Sequence, residues 1–140
     1  MNKNIDESIL SSQPDIEIYV KDLEATELMT WLELHFEVSS VIEEQSIRDL
    51  KNPVEISLLN QGHQIGLMIT PNAAGKRYTS LWFKSASTPW EDDKACALDY
   101  LAHADSEVRC SAAGWTESEE EYSEEWLCIT RAGEKRIKWA

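Results

Sequence analysis

The sequence predicts an α+β protein, a largely antiparallel sheet of about six to eight strands with two helices on one face. Three observations predict it. Several short stretches alternate apolar and polar residues at period two, two longer ones repeat apolar residues at helical spacing, and turn residues separate the strand-like stretches in pairs. At 140 residues, with 42% hydrophobic residues, the chain has the size and apolar content of one folded domain.

Residues 1–14 read as a flexible lead, and 15–140 as a single domain. "DIEIYVK" sets Ile16, Ile18 and Val20 against Glu17, Tyr19 and Lys21, the mark of a half-buried strand. "DLEATELMTWLELHF" follows as a helix, with Ala25, Leu28, Met29, Leu32 and Phe36 on one stripe, Asp22 as its N-cap and Glu24 in the first turn. "EVSSVIEEQ" reads as a strand. "PVEISLLNQGHQIGLMIT" reads as a hairpin turning at Asn60, Gln61 and Gly62, with Val54, Ile56 and Leu58 matched to Ile65, Leu67 and Ile69.

After the turn-rich "PNAAGKR", "YTSLWFKS" predicts another strand. "TPWEDDKACALDYLAHA" predicts the second helix: Thr88 is the N-cap, Pro89 the first helical residue and Glu91 the third member of a capping box. Its inward stripe is Trp90, Ala97, Leu98, Leu101 and Ala104. "SEVRCSA" then gives a strand, and "EEWLCITRAGEKRIKW" a hairpin turning near Ala132 and Gly133. Residues 15–70 and 77–139 therefore carry the same order of elements, the pattern of a duplicated βαβββ unit.

Charge restricts the partners. Twenty-six acidic residues against 13 Lys and Arg leave −13, which opposes binding to nucleic-acid phosphates and to anionic membrane surfaces. The charge lies in blocks. Residues 1–55 carry −9, 56–90 carry +3 with no acid at all, 91–130 carry −10 and 131–140 carry +3. The opening "MNKNIDESILSSQPD" lacks the basic start and apolar run of a signal peptide, so a cytoplasmic location is expected.

Recognised chemistry is sparse. Cys96, Cys110 and Cys128 have no CxxC spacing and sit in apolar runs, so buried thiols are expected rather than disulfides or a zinc site. His35, His63 and His103 lie in no catalytic or metal motif, and structural roles are expected for them. "AAGKR" lacks the first glycine and the hydroxyl of a phosphate-binding loop, since Thr70 and Arg77 stand at those places. No catalytic residue, cofactor or metal is expected.

The reading that remains is a small acidic protein acting by non-catalytic binding of a protein partner, a basic one by charge. Inhibitors of immunity type, secretion chaperones and DNA mimics share this composition. The dense acidic strip "WTESEEEYSEEW" offers the candidate contacts Trp115, Glu117, Glu119, Glu120, Glu121, Tyr122, Glu124, Glu125 and Trp126. The alternative is a small-molecule ligand or sensor domain on an aromatic sheet face, with Tyr19, Arg77, Trp82 and Lys84 as contacts, and a third class is an enzyme of a kind its motifs do not reveal. A sheet with one face uncovered and six tryptophans also admits a homodimer.

Overall fold

The computed structural model describes residues 15–38, 52–73, 77–85, 87–111 and 125–138. Among these residues it is an α+β structure with eight strands and two helices. Strand β1 (Ile16–Lys21) leads to helix α1 (Ala25–His35), the short β2 (Glu37–Val38), β3 (Val54–Asn60) and β4 (His63–Thr70). β5 (Tyr78–Phe83) leads in turn to helix α2 (Asp93–His103), β6 (Val108–Ser111), β7 (Glu125–Thr130) and β8 (Gly133–Lys138). No helix among the described residues is long and apolar enough to cross a membrane.

All eight strands form one antiparallel sheet in the order β2-β3-β4-β5-β1-β6-β7-β8. Among the described residues each half runs strand, helix, three strands, but the two join the central β5-β1 pair differently. The first meander reaches it through its last strand, β4, and the second through its first strand, β6. The lead at 1–14, the remainder of the "EVSSVIEEQ" strand beyond Val38, and the acidic strip before Glu125 lie outside the described residues.

Period-two patterning decides which face each strand buries. In β1, Ile16, Ile18 and Val20 are buried while Glu17, Tyr19 and Lys21 are not. The register carries this alternation across the sheet, with Ile18 opposite Leu81, Val20 opposite Val108, and Val108 opposite Ile129. In the first hairpin Ile56 meets Leu67 and Leu58 meets Ile65, as the sequence predicts, around a turn where Gln61 and Gly62 both have positive φ. These inward residues and the buried faces of both helices make one core, so both helices cover the same side.

The helices supply the core's aromatic centre. Trp31 of α1 is fully buried, stacked on Trp90 at 5.3 Å and edge-on to Tyr100 of α2 at 5.0 Å and to Phe83 of β5 at 6.1 Å. At its margin Asp99 accepts the Trp90 indole N–H at 2.6 Å and lies 2.8 Å from His35 Nε2, off the line of a hydrogen bond. His103 at the end of α2 touches the Glu27 carbonyl at 3.2 Å. Both helical histidines thus sit against the other helix.

Three sequence expectations need correction. Helix α2 begins at Asp93, capped by Asp92, whose carboxylate accepts the Ala95 N–H at 2.8 Å. Thr88 instead donates its hydroxyl to the Trp90 carbonyl. An aspartate one residue ahead of the helix outcompetes a threonine because its charge also meets the helix dipole. Of the expected inward stripe, Trp90, Ala97, Leu101 and Ala104 are buried but Leu98 is exposed, and Cys96 and Tyr100 are buried beside them. Asp22 does not cap α1; it has φ of 52° and is paired with Arg77, while Glu24 takes the cap position without a side-chain bond.

Candidate functional site: the uncovered face of the sheet

Opposite the helices, the register sets the outward residues in rows. One row runs from Met68 on β4 to Trp82 on β5 and Glu17 on β1, and another segment of it joins Ser111, Trp126 and Ile137 across β6, β7 and β8. The next row joins Thr70, Ser80, Tyr19, Arg109, Cys128 and Lys135. Trp82 is 37% exposed, which is unusual for a tryptophan in a central strand. Tyr19 meets Trp126 edge-on at 5.5 Å.

The structure therefore brings together residues that the sequence assigned to different readings. Tyr19 and Trp82 share this face with Trp126. Lys84 places its ammonium 4.9 Å from the Trp82 ring and 3.6 Å from Glu55, and Trp82 donates its indole N–H to Asp15 at 3.2 Å. Glu17 accepts the Ser80 hydroxyl at 2.7 Å, and burial together with Glu17 raises the pKa of Tyr19. Arg77 lies at the end of β5, exposed and bound to Asp22 through both guanidinium and carboxylate groups. Trp115, Glu117, Glu119, Glu120, Glu121, Tyr122 and Glu124 lie outside the described residues; Glu125 is paired with Arg136 at 2.9 Å.

A polar centre that the sequence reading missed lies at Glu107, just before β6, where Tyr78 of β5 and Cys128 of β7 converge on it. Glu107 Oε2 accepts from the Tyr78 hydroxyl at 2.7 Å, the Arg109 guanidinium at 2.7 and 2.9 Å and the Cys128 thiol at 3.2 Å. Arg109 also lies over the Tyr78 ring at 4.7 Å. Burial would raise the pKa of Glu107. The hydrogen bonds from Tyr78, Cys128 and Arg109, with the Arg109 charge, outweigh it and hold the carboxyl at about 2. The same contact, after burial, raises Tyr78 and Cys128 above their ordinary values. A signal was present: Glu107 and Arg109 two apart in a strand share one face.

Two shallow hollows adjoin at this centre, both touching Glu107 and Thr130. One, of about 420 Å³, extends over Arg109, Cys128, Lys135 and Ile137. The other, of about 360 Å³, opens toward Lys21, Asp22, Arg77 and Asp105. The arrangement provides neither an activated nucleophile nor a free base. Cys128 and Tyr78 hold their protons more tightly than usual, and the Glu107 carboxylate is occupied by its donors. Among the described residues no group of three or more His, Cys, Asp or Glu could hold a metal ion.

The fold and this face define an α+β protein with one face of an eight-stranded antiparallel sheet left open by the helices. Compared with protein-family models, curated proteins and solved structures, the chain gives no match.

Proposed function

We propose that this chain is a non-catalytic binding protein whose uncovered sheet face receives another protein. The exposure of Trp82, beside the half-buried Met68 and within the same face as Tyr19, Trp126 and Ile137, carries the reading. Aromatic residues at the centre of a surface rimmed by polar ones are the usual anchors of protein recognition, because they contribute large area at little conformational cost. The net charge of −13 supports a basic partner, drawn in by a long-range field before the aromatic face docks.

A photo-reactive phenylalanine analogue at position 82 tests this in cells. A discrete adduct is expected from position 82, suppressed by Met68→Glu on the adjoining strand, with none from the helix-side position 98. The complex, once purified, should weaken as salt rises. Absence of an adduct, or the same adducts from positions 82 and 98, overturns the proposal.

The hollow of about 420 Å³ beside Glu107 favours a second reading, a small-molecule site on the same face. A ligand bound there raises the melting temperature of the wild type and loses that effect in Lys135→Glu, whereas a protein partner on Trp82 is indifferent to that change.

A further inference from the structure

The sheet has two ends of different character. Among the described residues β2 presents two, Glu37–Val38, but β8 presents six, and all of them except Ile137 are exposed. β8 closes on β7 through the two-residue turn at Arg131 and Ala132, so Thr130 and Gly133 are the narrow, hydrogen-bonded pair. Alternation then directs the backbone N–H and C=O groups of Glu134, Arg136 and Lys138 away from β7, along the open edge. Such an edge is a template for another strand unless its side chains forbid it.

From this edge we infer that a second copy of the chain docks on β8, antiparallel and centred on Arg136, joining two eight-stranded sheets into one. Hydrogen-bond parity permits a two-fold pairing only where outward residues meet outward residues. Centring on Arg136 sets Glu134 of each copy opposite Lys138 of the other, twice, with Lys135 opposite Ile137 on the other face. The central arginines meet each other, but each is held by Glu125 of its own chain at 2.9 Å. Glu134 is also joined to Lys94 of α2 at 3.0 Å, which fixes it for its new partner. The neighbouring register centred on Lys135 pairs Glu134 with Arg136 instead, but it opposes the two Lys135 side chains, which have no carboxylate within ion-pair distance among the described residues, and the one centred on Ile137 sets Arg136 against Lys138 twice. Charge thus chooses between registers that the backbone leaves equal. A two-fold axis normal to the sheet keeps both uncovered faces on one side, so the docked pair presents two binding faces together.

Light scattering during size exclusion at physiological salt tests the pairing, because screening there limits repulsion between two chains of −13 to short range. The wild type is expected at twice the chain mass of 16.0 kDa. Lys138→Glu sets carboxylate against carboxylate at both ends of the pairing and gives a monomer. Glu134→Lys with Lys138→Glu reverses both members and restores the dimer, with circular dichroism unchanged throughout. A wild type that stays monomeric up to millimolar concentration overturns the inference, as does a dimer indifferent to Lys138→Glu or a folded double variant that remains monomeric.

Discussion

Replacing Glu107 by Gln keeps the shape of the side chain and removes the charge on which Tyr78, Arg109 and Cys128 converge. The carboxyl is lowered from an ordinary 4.5 to about 2. Fully transmitted to folding, that difference corresponds to roughly 3 to 4 kcal/mol, at about 1.4 kcal/mol per tenfold change in proton affinity. The side chain is 21% exposed, and solvent screening reduces the expected contribution to about 1.5 to 2 kcal/mol. Because the folded pKa is the lower one, the contribution is present above pH 4.5 and is lost as pH falls from there toward 2. Urea unfolding followed by tryptophan fluorescence should therefore place Glu107→Gln below the wild type at pH 7 with an unchanged slope, and the two should converge in acid. Equal stability at pH 7, or a gap constant down to pH 2.5 or so, would refute the assignment of Glu107 as the ionised centre of this network.

Asp93 has the opposite sign. Burial, opposed by its hydrogen bond from the Glu17 amide and reinforced by the Glu17 and Asp92 charges, raises it from 3.8 to about 6. Its cost to stability appears as pH rises from 3.8 through 6, so Asp93→Asn should exceed the wild type by about 1 to 2 kcal/mol at pH 8 and lose that advantage at pH 4, read by denaturant titration. Trp31→Ala should cost about 3 to 5 kcal/mol, with a drop in melting temperature and loss of near-ultraviolet dichroism, since Trp31 is fully buried among Phe83, Trp90 and Tyr100. Cys96, Cys110 and Cys128 are all buried, and burial raises each thiol, Cys110 to about 12. A maleimide should label all three slowly in the native protein and rapidly in urea; fast native labelling of any one would contradict this placement.

Much of the fold was legible because its signals are local. The alternation in "DIEIYVK" gives the faces of β1, and the Asn60-Gln61-Gly62 turn gives the first hairpin with its register. Where two local signals competed, packing decided. The capping box at Thr88 is well formed in the sequence, yet Asp92 is the residue whose carboxylate caps the helix, and Tyr100 rather than Leu98 packs inward. Trp31 shows the other limit. It stands one position from Leu32 on the same helix, and only its contacts across to α2 and β5 reveal it as the core's centre. Of the site, Tyr19 and Trp82 were legible through strand alternation, whereas the convergence on Glu107 was not. It joins Tyr78, 29 residues earlier on β5, and Cys128, 21 residues later on β7, a meeting that no local pattern announces.

The central position of β1 also governs the order in which the protein can assemble. The hairpins β3-β4 and β7-β8 close through two-residue turns and can form within microseconds of being synthesised. β1 cannot be enclosed early. Its Glu17 waits for Ser80, 63 residues downstream, and its Lys21 for Ser106, 85 residues downstream. Until both arrive, β1 has Ile16, Ile18 and Val20 and two open edges to conceal. Such long-range pairing is the kind that slows folding and prolongs the exposure of apolar surface to other chains.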